Sequence, residues 1–151
     1  MKYTGTSDGI AKGKRKGTEA FVKHVALLSK GNLCNNGTWG VRAVKGKPQY
    51  LSVHATGRAM DLSWRGKSRQ EANKVIEMIV ANADALGVEL VLDYFPKPYG
   101  RGYKCTRKGW SKYTAPSLSG APNGDWYHLE ISPEFADDPK KVHEAFKALF
   151  K

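Results

Sequence analysis

Two short stretches, Ala59–Trp64 and Trp126–Ile131, alternate so strictly that they limit what this chain can fold into. In the first, Met60, Leu62 and Trp64 fall on one face of a strand and Ala59, Asp61 and Ser63 on the other. In the second, Tyr127, Leu129 and Ile131 oppose Trp126, His128 and Glu130. A sheet built from such strands has one apolar face to cover and one face carrying ionisable groups. Helices are therefore expected on one side only, and a polar site on the other.

The remaining pattern supplies those helices. Phe21, Val22, Val25 and Leu28 recur at helical spacing, with Thr18 as the expected cap and Gly31 as the stop. Ser68 and Glu71 form a capping box for a helix carrying Ala72, Val75, Ile76, Ile79, Ala83 and Leu86, which Gly87 ends. Asp138-Pro139 opens a last helix with Val142, Ala145, Phe146 and Leu149 as its buried stripe. Trp39–Val44, Gln49–Val53 and Val88–Asp93 read as further strands. Residues 94–124 are rich in Gly, Pro, aromatic and basic residues, hold no Asp or Glu, and read as one long loop. The expected fold is a single α+β domain over residues 1–151, a small antiparallel sheet with helices packed on one side. Residues 1–17, with the basic run Lys12–Lys16, read as a flexible arm.

Charge and length bound the functional classes. Lys and Arg number 25 against 14 Asp and Glu, a formal net charge of +11, which draws the chain toward anionic partners without choosing among them. No run is apolar enough for a membrane span and no apolar segment follows Met1-Lys2, so a cytoplasmic site of synthesis and a monomer are expected. Cys34 and Cys105 are too few for a structural zinc finger and read as unrelated reduced thiols.

Of four histidines, His54 and His128 stand in strand or loop contexts with carboxylates at regular offsets. Asp61 is the natural third group, with Gly57 letting the backbone fold back between it and His54. Two imidazoles and one carboxylate with a fourth position open are the ligand set of a catalytic zinc. If the strand of His128 lies beside that of Asp61, all three converge on the polar face. Asp125, three residues before His128, stands where a general base for water belongs, with capping of the turn after Asn123-Gly124 as the lesser alternative. His24 and His143 have no partner at ligand spacing.

Ser52-x-His54-x-x-Gly57-x-Ala59-x-Asp61, followed by Asp125-x-x-His128, resembles the signature of the LAS group of zinc proteins. That group comprises D-Ala-D-Ala carboxypeptidases, vancomycin-resistance dipeptidases, phage L-alanyl-D-glutamate endolysins and hedgehog-fold proteins. Five residue types at fixed offsets coincide by chance in fewer than about 1 in 10,000 chains of this length, so the motif carries weight. The resemblance spans roughly residues 38–131. It implies one zinc ion on His54, Asp61 and His128, Asp125 as catalytic base, and an arginine that polarises the substrate carbonyl, for which Arg42 is the candidate. Ser52 and Glu130 would orient the ligands through hydrogen bonds. The chain has Asp125 where many members have Glu, and Tyr127 where Trp or Pro is common.

The expected activity is a zinc peptidase cutting peptidoglycan stem peptides, with a phage endolysin, released to the wall at lysis, as the leading form. Positive charge would favour anionic wall polymers, and loop residues Tyr99, Arg101, Tyr103 and Trp110 would contact substrate. A cytoplasmic D-Ala-D-Ala dipeptidase fits the same motif. A nucleic-acid-binding protein reusing the fold is the competing class. It rests on the charge and on Tyr99, Tyr103, Trp110 and Tyr113 alternating with basic residues.

Overall fold

A computed structural model describes residues 1–150. Its elements in chain order are α1 (Lys16–Leu28), β1 (Cys34–Asn35), β2 (Ala43–Val44), β3 (Lys47–Leu51), a 3-10 turn (Val53–Thr56), β4 (Ala59–Ser63), α2 (Arg69–Ala81), α3 (Ala83–Leu86), β5 (Val88–Asp93), β6 (Arg101–Lys104), β7 (Trp110–Lys112), β8 (Trp126–Ile131), α4 (Pro133–Asp137) and α5 (Pro139–Leu149). Six strands form one antiparallel sheet in the order β1-β4-β8-β5-β6-β7, and β2 and β3 make a separate hairpin. This is the expected α+β class. Among the described residues no helix is long and apolar enough to cross a membrane.

The apolar face follows the alternation. Met60, Leu62, Val91, Tyr127, Leu129 and Ile131 are buried in one core with Phe21 and Val25 of α1, Ile76 and Ile79 of α2, and Phe146 of α5. Trp64 packs at the edge of that core rather than inside it. The opposite face carries Asp61, His128 and Glu130.

Several elements differ from the sequence expectation, each for a local reason. Thr18 does not cap α1, which begins at Lys16; its hydroxyl is buried and donates to the Gly57 carbonyl at 2.7 Å. The expected helix 69–86 is broken at Asn82, whose side chain donates back to the Met78 carbonyl. The strand expected over 39–44 shrinks to Ala43–Val44, because the segment before it wraps over the 3-10 turn, Gly40 N–H donating to the His54 carbonyl. The stretch 94–124 is not one loop: β6 and β7 add two strands to the sheet edge. Ser132 caps an unforeseen α4, accepting from Phe135 N–H.

The N-terminal residues do not form a free arm. Arg58, fully buried, donates to the Ile131 and Gly5 carbonyls and to Asp8. Glu89, the extra residue of a bulge between Val88 and Leu90, accepts from both Thr4 N–H and Thr4 Oγ1 at 2.7 Å. Ala11 N–H donates to the Ala55 carbonyl, and Arg15 bridges Asp8 and Asp137. A buried arginine needs all its N–H groups satisfied, and the first fifteen residues supply much of what satisfies Arg58.

Helix α1 crosses α4 so closely that a methyl group on Gly17 would lie 1.8 Å from the Phe135 carbonyl oxygen. A Gly→Ala change inside a free helix normally stabilises by about 0.5–1 kcal/mol. Here Gly17→Ala is expected to lower the unfolding free energy by at least about 2 kcal/mol, since backbone must move to admit the methyl. Urea denaturation reads the sign directly, and a gain in stability would refute the close crossing.

Candidate metal centre

The motif Ser52–Asp61 is a turn that delivers one imidazole and a strand that delivers one carboxylate. Ser52 caps the 3-10 turn, its Oγ accepting from His54 N–H at 3.2 Å, so the serine positions the histidine through backbone. Gly57 ends the turn at φ 76°, where a side chain is strained, and its N–H donates to the His54 carbonyl. The chain then enters β4 with Asp61 on the polar face. In the antiparallel pairing of β4 and β8, Asp61 stands directly opposite His128, and Glu130 follows two residues along on the same face.

His54, Asp61 and His128 come together as the alternation requires. Their ligating atoms all lie within 4.8 Å of one another, and the group could hold a metal ion. Asp61 sits between the rings, with Oδ2 3.2 Å from His54 Nε2 and Oδ1 3.3 Å from His128 Nδ1. Those separations match the edge of a tetrahedron with bonds of about 2.05 Å, which is about 3.3 Å.

Hydrogen bonding decides what the imidazoles offer. His54 Nδ1 is 3.1 Å from the Thr38 carbonyl, an acceptor only, so Nδ1 carries the proton and Nε2 of the neutral ring is a bare lone pair. Nε2 is buried and makes no hydrogen bond despite its closeness to Asp61. His128 Nε2 donates to Glu130 Oε2 at 2.7 Å, which leaves Nδ1 facing Asp61. Two ring nitrogens thus converge on one carboxylate, and with both rings neutral they are three acceptors facing one another. Such an arrangement needs a proton or a cation, and each ring already has its far nitrogen held as metal-bound histidines do.

The titration behaviour follows from this. Burial would lower the His128 pKa, but Asp61 and Glu130 outweigh it and push it up to about 9. Burial would raise the Asp61 carboxyl, yet when protons occupy the ring nitrogens that face it, hydrogen bonding and charge from His128 and His54 hold it well below the usual carboxylate range. A metal ion and a proton therefore compete for the same lone pair.

No family model matches this chain, and neither does any curated protein sequence or solved structure.

The other expected site residues divide. Arg42 reaches the site, its guanidinium 3.7 Å from Asp61 Oδ2 and half exposed. Glu130 touches His128, and Ser52 acts through the turn cap. The Asp125 carboxylate does not line the cleft; it pairs with Arg65 at 2.6 Å, which holds its pKa below the usual value. Arg101, Tyr103 and Trp110 are turned to the helix side of the sheet, away from the metal group, and do not flank it. Arg101 pairs with Asp93 at 2.8 Å and stacks over the Trp110 ring at 3.7 Å, while Tyr103 is buried in the core. Tyr99 sits in the turn before β6 and does not line the cleft. His24 and His143 meet each other across α1 and α5, away from the site.

The cleft over the group has a volume of about 670 Å³ and is walled by the β2–β3 hairpin and by Ser117–Ser119. Lys45, Lys47 and Arg65 line it alongside Arg42. Sequence reasoning missed Tyr94, which continues the parity of Leu90 and Leu92 onto the site face and stacks on Trp126 at 4.2 Å. It also missed Tyr3. The position of Arg58 was the available signal, since a charged residue inside a motif at a buried strand entrance requires partners from somewhere.

Asp61→Asn keeps the shape but removes the charge between the two rings. One cobalt(II) ion per chain is expected for the native protein, and at least about 100-fold weaker binding for the variant, beyond the 10- to 100-fold typical of losing an outer partner. Visible absorption of the cobalt protein measures both. His24→Ala should leave the stoichiometry unchanged.

Proposed function

We propose that this chain is a zinc-dependent peptidase acting on the peptide bonds of peptidoglycan stems, of the kind phage endolysins supply. The observation that carries the reading is the convergence of two imidazole nitrogens on Asp61 inside a cleft. Two nitrogen donors and one carboxylate, with the fourth side open, suit zinc in a hydrolytic site better than a closed structural one. The motif around His54 and Asp61 supports the same class through its resemblance to the LAS group.

Zinc, when bound, supplies a Lewis acid that polarises a carbonyl and acidifies water. The chain's own residues do the rest. Thr38 and Glu130 fix the tautomers of His54 and His128, so that both present the correct nitrogen. Arg42, beside Asp61 and exposed to the cleft, would hold the oxygen of the scissile carbonyl or a neighbouring carboxylate. Asp125 would serve as base to the attacking water only if its carboxylate left Arg65 and turned into the cleft. That pair lies at the surface, where water competes effectively with the ion pair. Lys45 and Lys47 on the hairpin favour an anionic substrate, and stem peptides carry free carboxylates.

Purified peptidoglycan incubated with the zinc protein should release peptide fragments, and a chelator should stop the release. His128→Ala should lose activity by a factor of about 1000 or more, the scale of removing a group the transition state depends on. Digestion that survives either treatment would sink the proposal. Cleavage of free D-Ala-D-Ala with intact wall left untouched would redirect it to a dipeptidase.

A further inference from the structure

The first residues of the chain lie against the same sheet face as the metal group. Tyr3 lines the cleft, and its hydroxyl donates to Glu130 Oε1 at 2.9 Å. The other oxygen of that carboxylate accepts from His128 Nε2 at 2.7 Å, and His128 Nδ1 in turn faces Asp61 at 3.3 Å. Glu130 is only 4% exposed, so water is a poor substitute for either partner.

We propose that Tyr3 is a positioning residue of the metal centre, holding Glu130 so that His128 presents Nδ1 to the ion. A ligating histidine needs its far N–H fixed by an acceptor. That acceptor is itself a buried carboxylate, and a buried carboxylate with one oxygen unpaired turns toward another donor. The phenol prevents that turn. Burial and the neighbouring Glu130 charge raise the Tyr3 pKa, so the hydroxyl remains a donor.

Tyr3 is itself held in place from several directions. The Lys104 ammonium stands 4.2 Å over its ring. Thr4 donates twice to Glu89, at 2.7 Å each, and the Gly5 carbonyl accepts from buried Arg58. Tyr3 is thereby tied to the sheet through its own ring and hydroxyl and through the two residues that follow it. The metal centre is assembled from the sheet, the Ser52–Asp61 turn and this N-terminal strap together.

The inference rests on the metal-centre reading and is independent of the reaction performed there. Zinc and cobalt(II) affinities of the full chain are measured by competition with a chelator, with thermal unfolding of the metal-free protein alongside. Tyr3→Phe is expected to weaken binding about tenfold, the lower end for outer partners of a ligand, and to shift the visible spectrum of the cobalt protein. Thr4→Ala cuts an anchor of the same strap without touching Glu130, and should lower the melting temperature while leaving affinity unchanged. In a Glu130→Ala background, Tyr3→Phe should have no further effect on affinity. Tyr3→Phe binding as tightly as the native chain overturns the assignment. An equal loss in Thr4→Ala also overturns it, since strap anchoring rather than the phenol would then be responsible. A native chain that binds neither ion removes the metal centre and this inference with it.

Discussion

A carboxylate flanked by two imidazole nitrogens, each with its proton committed elsewhere, is an electrostatic deficit that the surrounding structure is built to maintain. Thr38 commits the proton of His54 to one side and Glu130 commits that of His128 to the other. Both rings then turn their lone pairs on Asp61. In water such a cluster would relax by rotating a ring. Here His54 is 3% exposed and its ring is locked between the Thr38 carbonyl and the capped turn, so rotation has nowhere to go. The missing positive charge must come from outside, as a proton or as a metal ion, and His128 shows the first option in its raised pKa.

What holds the three groups at that spacing is strand register. Asp61 and His128 are direct antiparallel partners, so the pleat alone fixes their mutual distance, and a slip of one residue would turn the side chains of the slipping strand over and separate the pair. The apolar residues on the other face forbid that slip: either Met60 and Leu62 or Tyr127 and Leu129 would be turned out of the core. The packing that stabilises the sheet is thus also the device that sets the site. His54 alone comes from irregular structure. It is accordingly the residue with the most local support, from Ser52, Gly57, Thr38 and the Gly40 N–H.

Legibility in the sequence tracks this division. The strands of Asp61 and His128 could be read because a half-buried strand must alternate, and the convergence of the pair followed once those strands were neighbours. The N-terminal strap could not be read that way. Its bonds are made by backbone carbonyls and by short polar side chains to Arg58 and Glu89, far away in sequence, and such pairings leave no periodic trace. Arg101, Tyr103 and Trp110 misled for the opposite reason. Their aromatic and basic character looked like a binding surface, whereas strand parity turns them toward α2, where Arg101 answers buried Asp93. Asp125 shows the limit of motif spacing: the offset from His128 fixes its place in the chain, but Arg65 decides where its carboxylate points.

The charge of the cleft depends on the same cluster. With no ion present, Asp61 and Glu130 contribute two negative charges at the floor and His128, its pKa pushed up to about 9, one positive charge, facing Arg42, Lys45 and Lys47 on the walls, while Arg65 is paired with Asp125. A divalent ion that displaced the His128 proton would cancel the floor and leave the three wall cations unopposed. Metal binding would therefore do more than supply chemistry at one atom, because it would make an already positive cleft more positive. A low-dielectric floor beneath them strengthens the attraction those cations exert on an approaching anion. The basic excess of the whole chain then has a focus at the site, and an ion bound there would strengthen the pull on any anion that enters the cleft.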